Sequence, residues 1–300
     1  MDLEWIVKEF LFDCQARNLS PKTVANYRKQ FSYFLLFLSR DQKITTLEEL
    51  QPRHLKAYMI TLQQKGNKAS YINDLIKPVK RLCSYAVEEG YAEDNIAKRV
   101  KNVKEPRVLI HTFSPAEITG MIQYFKEGDY LSIRNRLILM ILFDTGIRIT
   151  ELMTLKPEQI RDGYFQIFGK GRKERMVPLS PEVSKWMMRY DVARERYFYF
   201  RNAEDYYFLS KNGKRLTEEG VCKFMRTAGK EIGVSPLVRV SPHTCRHTFA
   251  HQQLKNGLDL YSLSRLLGHE NIMITQRYLE SLQDSEIVEA AKKTGVLANL

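Results

Sequence analysis

Residues 241–250 read SPHTCRHTFA. Ser241 is a good N-cap and Pro242 suits the first helical position, so the stretch predicts a helix over about 242–256. His243 and Arg246 stand three residues apart and share a face of that helix, with His247 one turn beyond His243. A helix N-terminus offers bare N–H groups and partial positive charge, which makes a phosphate a natural guest. A metal fits less well, because arginine cannot ligate one and Thr244 stands where the H-E-x-x-H zinc pattern needs glutamate. A helix face with no guest at all is the third reading, and the decision lies elsewhere in the chain.

Three other stretches bear on it. SRLLGHENIMITQRY (264–278) places His269 directly after Gly268, at the end of a helix predicted over 259–267, with Tyr278 nine residues on. DTGIRITEL (144–152) places Arg148 just beyond the apolar run RLILMILF and Gly146, where a second helix begins. FGKGRKERMVPL (168–179) sets Lys170 between two glycines at the tip of a predicted β-hairpin over 164–180. Together these residues form a chemical set. Two arginines can clamp the non-bridging oxygens of a phosphodiester. Histidines can bind the same phosphate or move protons near neutral pH. A lysine can protonate a leaving alkoxide, and a tyrosine among cations can act as nucleophile. No carboxylate spacing suggests a Mg²⁺ site, and neither metal nor cofactor is expected.

The totals agree with such a target. A chain of 300 residues with 44% hydrophobic residues is long enough for two domains with cores of their own. The formal net charge of +12 favours a polyanionic partner, with nucleic acid first. Cys14, Cys83, Cys222 and Cys245 form no C-x-x-C pair, so neither a zinc ribbon nor a disulfide framework is expected, and a reducing cytoplasm is the simplest setting. No apolar run approaches the roughly 20 residues of a membrane span, and the start, MDLEWIVKEF, lacks the pattern of a secretory signal.

The first hundred residues read as a small four-helix bundle with basic faces. Ser20-Pro21 starts one helix, others cover about 51–64 and 69–89, and Gly90 closes the last. Lys22, Arg28, Lys29, Lys77, Lys80 and Arg81 lie on these helices, as solvated surface or as a nucleic-acid footprint. The basic stretch KRVKNVKEPRVLIH (98–111) reads as a linker. Ser114-Pro115, with Glu117 at the third position, predicts a capping box, and Ser180-Pro181 starts a long helix. DYYFLS (205–210) is a candidate short strand, and a further helix is expected over about 216–231.

TGIRITEL, GKGRKERMVPL, HTCRHTFA, LLGH and TQRY, in this order, resemble the catalytic domain of the tyrosine recombinase (phage integrase) family. The resemblance extends over the whole chain. It implies a mainly α fold with a small β-hairpin or sheet (α+β): a helical SAM-like core-binding domain over 1–100, a linker over 101–111, a catalytic domain over 112–285 and a tail helix over 286–300. The tail would pack on its own catalytic domain or pass to a neighbouring protomer. Carried over, the family pattern makes Arg148 and Arg246 the ligands of the scissile phosphate and Lys170 the general acid for the 5′-hydroxyl. It makes His243 the proton acceptor, His269 a phosphate ligand, and Tyr278 the nucleophile that forms a 3′-phosphotyrosyl link. Glu151 is expected to buttress Arg148, and His247 to be structural. Cys245 stands where the family usually has leucine, and LESLQDSEI (279–287) departs from the tail of housekeeping Xer recombinases, which favours an integrase or excisionase of a mobile element over an Xer-type resolvase. The implied partners are double-stranded DNA core sites and a homotetramer on DNA, from a monomer or weak oligomer without it, and no membrane. A type IB topoisomerase and a non-catalytic DNA-binding protein are the alternative readings.

Overall fold

The computed structural model describes residues 1–106, 110–168, 174–269 and 271–279. The chain divides into two compact units, Met1–Val108 and Leu109–Leu300.

The first unit holds four helices: α1 (Leu3–Ala16), α2 (Pro21–Phe37), α3 (Pro52–Gln64) and α4 (Ala69–Glu88). Asp2 accepts the Trp5 N–H to cap α1, and Ser20 caps α2 with Pro21 at its first position. α2 runs on into one π-helical turn, Leu38–Gln42. Phe10 centres an aromatic cluster, with the rings of Tyr27, Phe31 and Tyr85 edge-on at 5.3 to 5.5 Å. The basic face of α4 is partly committed within the chain. Lys80 donates to the Val100 carbonyl at 2.6 Å and to Asn102 at 2.7 Å, and Arg81 pairs with Glu88 at 3.4 Å. Asn73 bonds both the N–H and the carbonyl of Val103. Residues 100–103, at the start of the stretch read as a linker, are thus docked on α4.

The second unit begins with α5 (Pro115–Tyr124), α6 (Tyr130–Thr145) and the short α7 (Ile149–Met153). The capping box of Ser114 and Glu117 forms as its spacing predicts. From Leu137 to Leu142 α6 is apolar on every side and buried at each residue, and it is the core of the unit, packed by α5, α8 and α10. The sheet is antiparallel, in the order β1 (Ile160–Arg161), β2 (Tyr164–Phe168), β3 (Glu174–Pro178). It has one strand more than the hairpin expected from sequence, and the expected tip lies outside the described residues. α8 (Pro181–Phe198), α9 (Glu218–Glu231), α10 (Pro242–Lys255), α11 (Leu260–Leu267) and α12 (Ile272–Leu279) follow. The stretch 205–210 forms no strand, only an isolated bridge from Leu209 to Arg215. α12 was not anticipated, and the expected tail helix over 286–300 lies outside the described residues. Among the described residues no helix is long and apolar enough to cross a membrane.

Phe31 is fully buried, whereas Phe12 on α1 is 68% exposed. Phe31→Ala is expected to destabilise the first unit by about 3–5 kcal/mol. Phe12→Ala should change it by less than about 0.5 kcal/mol. Urea unfolding of the two variants followed by circular dichroism checks the contrast, and equal effects would contradict the placement of this core.

Candidate active site

Two left-handed glycines shape the site. Gly146 ends α6 at φ +59° and Gly268 ends α11 at φ +64°. A Cβ on Gly146 would lie 2.5 Å from Phe249, and one on Gly268 would lie 2.9 Å from Arg175. Only glycine meets both demands, conformation and space. Each glycine leaves its carbonyl facing the site, where a guanidinium takes it up.

Arg246, on the buried side of α10, donates to the Gly146 carbonyl and to the Leu267 carbonyl, both at 2.7 Å. Arg148, the N-cap of α7, donates to the Gly268 carbonyl at 2.7 Å. Arg175, on β3, donates to the Leu266 carbonyl at 3.1 Å. Three consecutive carbonyls at the C-terminus of α11 therefore hold three different arginines. These are groups that a helix end leaves without intrahelical partners, and they lie at its negative pole.

Glu151 binds two of the three. It accepts from the Arg148 guanidinium and the Arg148 N–H, both at 3.0 Å, and from Arg175 at 2.8 and 2.6 Å. Burial alone would raise its carboxyl, but the hydrogen bonds and charge of Arg175, then Arg148, outweigh it and hold the pKa below the usual value. The expected buttress of Arg148 is present, and Arg175 is a second beneficiary that sequence reasoning missed. The signal for it was alternation: Arg175 is two residues from Val177 on β3 and faces inward with it, opposite Ile167. A charge at an inward strand position calls for a buried partner.

Arg246 is only 5% exposed, and among the described residues its hydrogen-bond partners are neutral: two carbonyls and His269. Burial, then the charge of Arg148, pushes its pKa down to about 10. Its Nη2 donates to His269 Nε2 at 2.9 Å. Arginine has no acceptor, so that nitrogen of His269 is bare and the ring's proton sits on Nδ1, 2.7 Å from Thr275 Oγ1. Burial, then Arg246 and Arg148, lowers the His269 pKa to about 4. His247 is pushed to about 4 by burial, then His243 and Arg246. His243 is lowered by loss of hydration, then by Arg246 and Arg239. All three imidazoles are neutral near pH 7.

Tyr278 sits on α12, 4% exposed, in an apolar seat made by Phe249, Leu254, Leu263 and Leu267. Its ring stacks with His269 at 6.2 Å between centroids and meets His247 edge-on at 5.0 Å. His247 in turn lies 2.9 Å, Nε2 to Nε2, from His243. Of the six residues singled out in the sequence, the fold brings together Arg148, His243, Arg246, His269 and Tyr278. Lys170 lies outside the described residues.

Comparison with known proteins places the chain in a family. Residues 111–284 match the model of the phage integrase family, and residues 7–90 match its N-terminal SAM-like domain. The tyrosine recombinase XerD of Oceanobacillus iheyensis is 29% identical over 280 residues, covering 92% of this chain and 93% of that protein. XerD of Listeria monocytogenes is 28% identical over 277 residues, covering 91% and 93%. Among solved structures, a lambda integrase (75–356) dimer on a COC′ core site superposes with a TM-score of 0.73 at 18% identity, covering 95% of this chain and 97% of that one. The XerH recombinase bound to difH substrate gives 0.71 at 20% identity, covering 95% and 83%. These structures share its fold. The chain belongs to the phage integrase family and is a site-specific recombinase of the tyrosine type.

Glu151 makes the site's integrity pH-dependent. Its folded pKa lies below the unfolded value, about 4.3. Its stabilisation is therefore complete above that pH and is lost as the pH falls through the folded value. Glu151→Gln should cost about 3–5 kcal/mol near neutral pH, because it strips Arg175 of its counter-charge. The gap between variant and parent should narrow between about pH 5 and pH 3. Urea midpoints across that range test this, and a gap independent of pH would rule out an ionic origin.

Proposed function

We propose that this cluster cuts and rejoins double-stranded DNA at a core site through a 3′-phosphotyrosyl intermediate. The observation that carries the reading is Arg246: a buried guanidinium whose hydrogen-bond partners among the described residues are all neutral, beside His269 and the ring of Tyr278. A phosphodiester supplies the negative charge that Arg246 lacks, and Arg148 clamps a second oxygen from the N-terminus of α7. The phosphate's negative charge favours a second proton on His269, taken from solvent on Nε2 in place of the bond from Arg246; that N–H donates to the phosphate while Nδ1–H stays on Thr275. Tyr278 attacks phosphorus, its O–P bond forms, and the P–O5′ bond breaks. His243 takes up the tyrosine proton, and Lys170 supplies one to the 5′-oxygen. One ester replaces another, so strands can be rejoined without nucleotide hydrolysis and, on this scheme, without a metal.

The relatives suggest the larger setting. The solved neighbours include a lambda integrase tetramer bound to a Holliday junction and a Tn1549 transposon integrase with transposon right-end DNA. By analogy this chain works on DNA as four copies, in the cytoplasm. The net charge of +12 suits a duplex. Integration, excision and dimer resolution share this chemistry, and the DNA site distinguishes them. A type IB topoisomerase would use the same step without exchanging partners.

Tyr278→Phe should bind a nicked core-site duplex as tightly as the parent and form no adduct that survives denaturant. An adduct in that variant would remove Tyr278 from the nucleophile's role. Lys170→Ala should cleave ordinary DNA poorly and be restored by a 5′-bridging sulfur, which leaves without a proton. Equal defects on the two substrates would exclude Lys170 as the acid. Cleavage should persist in excess EDTA, and a loss restored by Mg²⁺ would point to metal-assisted hydrolysis instead.

A further inference from the structure

His247 was expected to be structural, yet three observations give it chemistry. Its Nε2 lies 2.9 Å from His243 Nε2. Its ring meets the ring of Tyr278 edge-on, centroids 5.0 Å apart at 68°. Its other nitrogen, Nδ1, is buried without a hydrogen-bond partner among the described residues.

The proton's place follows from the orphan. A buried N–H without an acceptor is rarer and costlier than a buried lone pair without a donor. Nδ1 of His247 is therefore bare, and the neutral ring carries its proton on Nε2. That N–H donates to His243 Nε2, which must then be bare too. The two imidazoles form a short hydrogen-bonded wire, with an empty acceptor on the ring that meets Tyr278 edge-on and a second proton acceptor at the other end.

We propose that His247 relays the proton of Tyr278 to His243 during the attack. The proposal rests on the reading of Tyr278 as nucleophile and His243 as final proton acceptor. Nδ1 has no hydrogen-bond partner among the described residues, so Tyr278 Oη closes on it when DNA binds; as the Tyr278 O–P bond forms, the phenolic proton then moves to His247 Nδ1. In the same step the Nε2 proton of His247 passes to His243 Nε2. His247 ends neutral with its proton on the opposite nitrogen, and His243 ends as an imidazolium. Rejoining runs the wire backwards and returns the proton to Tyr278.

The surroundings suit a relay. The titratable and charged groups that bear on His247 are His243 and Arg246 on α10, His269 after α11 and Tyr278 on α12. The pKa of about 4 keeps His247 neutral before the step, so it can receive a proton as it gives one away. His243 is the more exposed ring of the pair, and its imidazolium would lie toward the bound phosphate and solvent.

The test is single-turnover covalent cleavage of a nicked core-site duplex at saturating full-length enzyme, across pH, with His247→Ala, His247→Gln and Tyr278→Phe. His247→Ala should bind DNA like the parent and form adduct about 100-fold more slowly. Added imidazole should recover about tenfold of that loss, in proportion to its free-base fraction. His247→Gln keeps an N–H toward His243 but cannot exchange protons. It should stay slow, ignore imidazole, and speed up with rising pH as hydroxide takes over. A Gln variant at the parental rate would reduce His247 to a hydrogen-bonding or packing role and overturn the relay, and so would an Ala variant that is fast or is slow without imidazole rescue. If His247→Ala fails to fold, the rate and pH profile of the isosteric Gln variant decide. An adduct formed by Tyr278→Phe would be a separate failure, of the nucleophile assignment itself, and the relay would fall with it.

Discussion

The catalytic unit depends on how it solvates guanidinium groups away from water. A buried arginine needs acceptors for a planar fork of donors, and a single carboxylate cannot serve three of them. Here the C-terminus of α11 does most of this, with the carbonyls of Leu266, Leu267 and Gly268 turned to Arg175, Arg246 and Arg148 in succession. The C-terminus of α6 adds Gly146. Helix ends are suited to the task because their last carbonyls are unpaired and lie at the negative pole. Both helices must therefore stop where they do, in glycine, with their ends aimed at one point. α6 meets that demand by being the apolar core of the unit, and α11 by packing Leu263 and Leu267 into the cluster that also seats Tyr278.

The same arrangement leaves an uneven charge. Glu151 offsets Arg148 and Arg175 together, so one unit of positive charge remains there, and Arg246 adds a second with no carboxylate among its hydrogen-bond partners. A site this dry, and then this positive, disfavours protonated histidines, which is why His247 and His269 are both driven down to about 4. It also means that an arriving phosphate meets neutral imidazoles and unbalanced guanidiniums rather than a surface already neutralised by acids.

Much of this was legible in the chain because local rules carried it. Ser20-Pro21, Ser114-Pro115, Ser180-Pro181 and Ser241-Pro242 each start a helix, since cap chemistry is decided within four residues. Glycine before Arg148 and before His269 marked the helix ends that position them. What was hidden depends on distant pairing. Arg175 takes its meaning from Glu151, 24 residues earlier, and from Leu266, 91 residues later. β1 is two residues long and exists through its register with β2, not through any pattern of its own. α12 is short and lacks a proline-marked start, and it forms where Thr275 and Tyr278 are both buried against neighbouring helices.

His247 shows most clearly why residue type alone could not assign a role. Two neutral histidines flank Tyr278, and they hold opposite tautomers. His269 carries its proton on Nδ1, toward Thr275, and accepts from Arg246 on Nε2. Both of its nitrogens are engaged, so it can take a new proton only by giving up the bond from Arg246. His247 carries its proton on Nε2, toward His243, and has Nδ1 bare. Taking a proton on Nδ1 breaks no bond among the described residues and only reverses the direction of the bond to His243. The difference is set by what each ring touches, not by exposure or by pKa, which are alike for the two. On the proposed relay, proton traffic runs along α10 from His247 to His243, and the His269 side is left to hold charge in place.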